Sequence, residues 1–193
     1  MQSLSNLSTM EFKTALTPER VRVGMIIQGA LAAGALLFFF AVLAVASLNQ
    51  PKNTIAIDLD QLTYMTCACL LFFVADFIIG RFLYFSQFKP ERLEAAYSSE
   101  FKDQNGNIIP ASPAEKAVSL IRTSMLIRTA LFEGAAFFGL ATLMIGAQQG
   151  ALEILPWVWI NVFPLLALLI WVLSTFPTAN RLESIFEANI LNK

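Results

Sequence analysis

The chain has 193 residues, of which 56% are hydrophobic and 14% are charged, and its formal net charge is −1. Soluble domains carry about 25% charged residues, so this composition, with a mean hydropathy of +0.63, predicts an integral multi-pass membrane protein. A net charge so close to zero does not favour nucleic acid as a partner.

Side chains for catalysis or metal binding are scarce. The sequence contains no histidine, which removes the commonest general base and metal ligand. Cys67 and Cys69 lie two residues apart in an apolar helix, on different faces, without partners for a four-ligand metal site. We therefore predict no enzymatic activity, no catalytic residues, no metal and no cofactor.

The chain begins with a polar segment, residues 1–16, which lacks the apolar core of a signal peptide and is predicted to be cytoplasmic. Thr17 and Pro18 are typical of an N-cap and a first helical position. The helix that they open is predicted to form the first span, from Gly24 to Ser47. Small residues in its first half are expected to let another helix pack closely. They include Gly29, Ala33 and Gly34.

The second span is predicted from about Leu62 to Phe85. Asp76 lies near its middle, and Arg81 follows about 7–8 Å further along the helix at 1.5 Å per residue. Spans one and two form a first two-span repeat over residues 17–88.

The only sizeable polar segment between spans, residues 89–112, is predicted to be a cytoplasmic loop. Within it, Pro90–Tyr97 is predicted to form a short interfacial helix. Asn105-Gly106 indicates a tight hairpin turn.

Residues 113–177 are predicted to form the second two-span repeat. The capping box Ser112-Pro113-Ala114-Glu115 opens a helix that continues unbroken into the third span and ends at Gln148–Gly150. The fourth span, about Ile154 to Phe176, contains Pro164, which is expected to kink it.

Residues 178–193 are predicted to form an amphipathic segment that lies on the membrane surface or on a partner. Outside the spans, every basic residue except Lys52 falls on one predicted side of the membrane. Because basic residues favour the cytoplasmic side, both termini and the long loop are predicted to be cytoplasmic. The predicted location is a bacterial inner membrane.

An internal repeat relates the first and third spans. Residues 22–38 align with residues 122–138 at an offset of one hundred, with Arg, Met, Ile, Ala-Leu, Gly-Ala and Phe in register. This predicts tandem two-span units related by an axis near the membrane normal. Gln28 then corresponds to Arg128, and Ala33 corresponds to Glu133. Convergent patterning of small residues remains the alternative.

Two charges lie within the apolar third span, Arg128 and Glu133. An ionised side chain at the centre of a lipid-facing helix costs about 2.5–3.5 kcal/mol, so both must contact protein or water. Counting depth from the span centres places them near Asp76 and Arg81, which predicts a four-residue charge network between spans two and three. Two alternatives remain open, namely proton or ion exchange by Glu133 and contact with a partner subunit. The packing glycines of this span are Gly134 and Gly139.

The segment Thr123–Leu140 resembles the carboxylate-bearing helix of the rotary ATP synthase c-subunit (proteolipid) family, where a Thr-Met stretch precedes Ala-Leu-x-Glu and Gly-Leu follows. The resemblance implies that Glu133 occupies the ion-carrying position, although Arg128 nearby would hold its carboxylate ionised. With the closing Phe176-Pro177-Thr178, the chain is also similar to uncharacterised small four-span bacterial membrane proteins that share Arg-x-Ala-Leu-x-Glu-Gly-Ala-Ala. That group implies no established activity.

Together these features predict an all-α integral membrane four-helix bundle built from two tandem repeats. The expected function is that of a structural or accessory subunit of a membrane complex. Its expected partners are the lipid bilayer and other membrane subunits or further copies of itself. A proton- or ion-translocating c-subunit-like protein is the alternative.

Overall fold

The computed structural model describes residues 4–48, 57–102 and 108–191, and this part of the chain is almost entirely helical. Four helical segments are long and apolar enough to cross a membrane. They are Pro18–Leu48, Leu59–Ser86, Pro113–Gln148 and Pro156–Ser174. The prediction of a helical multi-pass membrane protein is thus confirmed.

The elements follow the chain as a series of long and short helices. The α-helices are α1 (Thr9–Ala15), α2 (Pro18–Leu48), α3 (Leu59–Ser86), α4 (Pro90–Ser98), α5 (Pro113–Gln148), α6 (Ala151–Ile154), α7 (Phe163–Ser174) and α8 (Ala179–Asn189). Two 3-10 helices cover Leu4–Asn6 and Pro156–Val162. Strands β1 (Phe101–Lys102) and β2 (Ile108–Ile109) pair antiparallel. The predicted Asn105-Gly106 turn lies outside the described residues.

The predicted helix starts are present. The backbone N–H of Arg20 donates to Oγ1 of Thr17 at 3.4 Å, which caps α2. At the start of α5, Ser112 N donates to Oε2 of Glu115 at 2.8 Å and Glu115 N donates to Oγ of Ser112 at 3.3 Å. This reciprocal pair confirms the predicted capping box, and α5 then continues without interruption to Gln148.

The chain forms two compact units that do not follow its linear order. The first unit contains Met1–Ile27, Arg81–Arg128 and Thr175–Lys193, and the second contains Gln28–Gly80 and Thr129–Ser174. α2, α3 and α5 each contribute residues to both units. The succession of segments along the chain stays a prediction.

The first unit has an apolar core in which the two terminal helices meet. Phe12 of α1 stacks on Phe186 of α8 with ring centroids 4.2 Å apart, and both rings are fully buried. Leu182 and Ile185, on the same face of α8, are buried as well. The apolar face of this helix is therefore covered by the chain itself, which differs from the predicted placement on the membrane surface or on a partner.

Helix α1 was not predicted, although its capping signal is present in the sequence. Ser8 N donates to Oε2 of Glu11 at 2.9 Å, and Glu11 N donates to Oγ of Ser8 at 3.2 Å. Hydrogen bonds from Ser8 to the Glu11 carboxylate hold the pKa of that group below its ordinary value. Nζ of Lys13 lies 2.7 Å from Oε1 of Glu183, which joins α1 to α8 and raises the pKa of Lys13.

The second unit packs parts of α2, α3, α5 and the fourth span against one another. The rings of Phe73 and Phe77 in α3 each lie 6.3 Å from the ring of Phe132 in α5. Phe132 also lies 5.8 Å from the ring of Trp171 in α7. Large apolar side chains on the outer faces stay exposed, as expected for helices in contact with lipid. Examples are Leu37, Phe40, Leu71 and Ile78.

The fourth span is not a kinked continuous α-helix. It begins as the 3-10 helix Pro156–Val162 and becomes α-helical at Phe163, so Pro164 is the second residue of α7. At the first turn of a helix a missing N–H breaks no hydrogen bond. Pro164 thus lies in the first turn of α7 and not in the middle of a continuous α-helix, and the 3-10 geometry precedes it.

Phe186→Ala tests the core of the first unit. Removing a fully buried aromatic ring costs about 3–5 kcal/mol of unfolding free energy, so we expect a clearly lower midpoint of thermal unfolding in detergent. Ser184→Ala, at an exposed position of the same helix, should change stability by less than about 0.5 kcal/mol. Equal effects of the two substitutions would contradict a packed interface between α1 and α8.

Candidate functional site

Charge is divided unevenly between the two units. The first unit holds twelve of the thirteen basic residues, three in Met1–Ile27, seven in Arg81–Arg128 and two in Thr175–Lys193. In the second unit the basic residue is Lys52, which lies outside the described residues, whereas five carboxylates belong to that unit. Asp60 lies in the first turn of α3, and two of these carboxylates, Asp76 and Glu133, lie well inside membrane-crossing helices.

Asp76 lies on the buried face of α3. Its side chain is only 6% exposed, and Thr66 and Cys69 on the same face are also buried. The phenyl rings of Phe73 and Phe77 on either side of it contact Phe132 of α5. Oδ2 of Asp76 is buried without a hydrogen-bond partner among the described residues of its unit. Asp76 is thus a buried polar residue of the second unit with one unpaired oxygen among the described residues.

Glu133 lies on α5 next to Phe132 and is half-buried. Its neighbours Gly134 and Phe137 are exposed, so this part of α5 is only partly covered within the unit. The described part of the second unit contains no Lys or Arg, and Glu133 forms no ion pair there.

The two arginines of the predicted network lie in the first unit, against aromatic rings. The guanidinium carbon of Arg128 is 5.7 Å from the ring centroid of Tyr84, and that of Arg81 is 5.7 Å from the centroid of Phe85. Both distances are within the range of cation–π attraction. Because the arginines and the two carboxylates belong to different units, the four-residue network stays a prediction.

Among the predicted packing residues, Gly139 lies at the closest approach. A Cβ added to it would overlap the carbonyl oxygen of Asn161 and lie 3.3 Å from Sγ of Cys69. Only glycine leaves room for both neighbours at this point. At Gly34 and Gly134 the nearest atoms, from Phe137 and Phe72, would lie at an ordinary 3.9 Å.

Two other small residues of α2 make little contact within the second unit. No atom lies within 4 Å of a Cβ added to Gly29, and Ala33 is exposed. Gly146, which the sequence analysis did not single out, is more tightly packed, because an added Cβ would lie 3.2 Å from Leu152 and 3.3 Å from Val158.

A buried polar cluster joins α2, α5 and α7. Thr129 Oγ1 accepts hydrogen bonds from Nε2 of Gln28 at 3.4 Å and from Nε1 of Trp171 at 3.3 Å. Gln28 and Thr129 are almost completely buried. This cluster was not predicted from the sequence, although isolated polar residues in apolar spans are a general signal of helix–helix contacts.

A second polar contact joins α3 to the start of the fourth span. Nδ2 of Asn161 donates to Oγ1 of Thr66 at 2.9 Å and to the carbonyl oxygen of Val158 at 2.8 Å. Both side chains are buried. This contact lies beside the close approach at Gly139, so polar bonding and small-residue packing fix the same junction.

The described residues contain no group of three or more His, Cys, Asp or Glu side chains arranged to hold a metal ion. Cys67 is exposed and Cys69 is buried, which agrees with their predicted positions on different helix faces. A comparison of the chain with protein-family models, curated proteins and solved structures found no match.

Gly139→Ala tests the close approach in the second unit. The added methyl group must push Asn161 or Cys69 away, and overpacking of this kind costs about 1–3 kcal/mol. Gly29→Ala is the matched control, because the site is open and alanine is favoured over glycine in a helix by about 0.5–1 kcal/mol. Thermal unfolding in detergent should therefore shift in opposite directions. A neutral Gly139→Ala variant would contradict the packing.

Proposed function

We propose that this protein is a non-enzymatic structural or accessory subunit of a membrane complex. It would associate with other membrane subunits or with further copies of itself through the small-residue face of α2. The observation that supports this proposal is that Gly29 and Ala33 lie open within the second unit. Small residues on a membrane helix allow a second helix to approach closely, and this chain leaves those of α2 largely unused.

The proposed location is a bacterial inner membrane, with both termini and the polar loop in the cytoplasm. The concentration of basic residues in the first unit supports this orientation, because basic residues are retained on the cytoplasmic side. The proposed tandem repeat is supported by the helices that pass between the units. α2 passes from the first unit to the second after Ile27, and α5 does so after Arg128. Because Ile27 aligns with Ile127, these two points are one residue apart in the repeat alignment.

Ala33→Leu tests the proposed association. The larger side chain should block close approach of a partner helix. Native mass spectrometry of the chain in mild detergent should then detect the folded chain without its complex. Ala75→Leu, at an exposed small residue of α3, adds the same volume outside the proposed interface and should leave the complex intact. Unchanged assembly of the Ala33 variant would contradict the proposal, and a homo-oligomeric ring would favour the alternative function.

The alternative function is proton or ion translocation by Glu133, as its resemblance to the c-subunit helix implies. The observation that favours it is the absence of Lys and Arg from the described part of the second unit, where Glu133 and Asp76 form no ion pair. A carboxyl group that is not held in an ion pair can accept and release a proton.

Glu133→Gln separates the two functions. If the carboxylate serves assembly through the predicted charge network, the substitution lowers the stability of the complex, because a cation loses its partner. If Glu133 carries protons, assembly is retained and proton uptake into liposomes is lost. We expect the first result. Glu153→Gln, at an exposed position of α6, is the control and should alter neither measurement.

A further inference from the structure

A group of basic and aromatic side chains lies where α3 leaves the second unit. We define the arginine cluster as Arg81, Arg128 and Arg181, all of which belong to the first unit. Leu182, which follows Arg181, is buried in the same apolar core as Tyr84. Tyr84 is buried, and its ring lies 5.3 Å from the rings of both Phe85 and Phe88. The side chains of Arg81 and Arg128 pack against this aromatic group.

The arginines act on one common region. Arg128 lies over the Tyr84 ring and Arg81 lies over the adjacent Phe85 ring, each at 5.7 Å. The Tyr84 and Phe85 rings contact each other, so these two guanidinium groups lie over one aromatic group. Like charges this close raise the local positive potential and favour a bound anion.

The chain supplies little negative charge at this place. The segments 81–90, 116–128 and 175–182 contain no Asp or Glu, and Glu91, Glu115 and Glu183 border them. The ion pairs described within the first unit join Lys13 to Glu183 and Arg20 to Glu115. Arg81 and Arg181 are exposed and take part in neither pair. Their guanidinium groups are therefore accessible to an external anion.

Apolar rings stand beside these cations on the same helix. Phe82 is 65% exposed and Phe85 is 49% exposed, and Nζ of Lys89 lies 5.8 Å from the Phe82 ring centroid. Exposed rings at the end of a membrane-crossing helix suit the boundary between lipid tails and headgroups. Cations next to them would lie at the depth of the lipid phosphates.

We propose that the arginine cluster binds the phosphate group of an anionic phospholipid, with the acyl chains against Phe82 and Phe85. A guanidinium presents several N–H donors in a planar fork that matches phosphate oxygens. Basic sites between membrane helices on the cytoplasmic side are a recognised setting for anionic headgroups. In this assignment Arg81 and Arg181 contact the phosphate. Arg128, which lies over the Tyr84 ring, adds to the positive potential at the site.

The test uses the full chain in detergent micelles, with lipid binding followed by native mass spectrometry. Phosphatidylglycerol is compared with phosphatidylcholine of the same acyl chains. The double variant Arg81→Gln/Arg181→Gln should bind phosphatidylglycerol about 25-fold more weakly, because each basic residue near an anionic lipid contributes about fivefold. Binding of phosphatidylcholine should not change.

Arg22→Gln/Arg92→Gln is the matched control. It removes the same charge from two exposed positions of the first unit outside the cluster, and phosphatidylglycerol binding should stay within about twofold of the original. The pair Arg81→Lys/Arg181→Lys keeps the charge and should retain most of the binding. This pair keeps the proposal testable if the glutamine pair fails to fold.

Three results would overturn the assignment. One is equal weakening by the cluster pair and the control pair, which would mean that overall charge and not this site attracts the lipid. Another is equal affinity of the original chain for both lipids. The third is saturable binding of inorganic phosphate that depends on Arg81 and Arg181 without preference for phosphatidylglycerol, which would identify a soluble phosphate as the ligand.

Discussion

The cost of placing charge in hydrocarbon is the constraint on which this structure depends. An ionised side chain at the bilayer centre is unfavourable by about 2.5–3.5 kcal/mol on insertion scales. Most charged residues of this chain belong to the first unit, which keeps them out of the apolar second unit. The first unit contains twelve basic residues, whereas the described part of the second unit contains none. In the second unit, Asp76 and Glu133 lie well inside the spans, and Glu133 carries the alternative function.

The same constraint explains why the interactions inside the first unit differ from those inside the second. The first unit has a conventional apolar core, with Phe12 stacked on Phe186, because burial from water stabilises such contacts. Lipid tails are as apolar as leucine, so the second unit relies on close approach and polar bonds between helices. Gly139 beside Asn161 provides the close approach, and the hydrogen bonds to Thr129 provide the polar bonds.

Sequence patterns anticipated the elements whose signals are local. The apolar runs identified four spans, and the Ser112–Glu115 spacing identified the start of α5. Contacts between distant segments were less accessible. The partner of the amphipathic α8 could not be named without α1, whose seven residues are too few for a periodic pattern. The pairing of Gln28 with Thr129 depends on how helices rotate against each other, which hydropathy does not specify.

The most direct test of the whole account is the sidedness of the chain. With the native cysteines replaced, Glu153→Cys, Ser99→Cys and Asn180→Cys place single thiols at exposed positions of the second unit, the polar loop and α8. A membrane-impermeant maleimide should label Glu153→Cys in intact cells and the other two only after lysis. Labelling of all three positions in intact cells, or of Ser99→Cys and Asn180→Cys alone, would contradict the account.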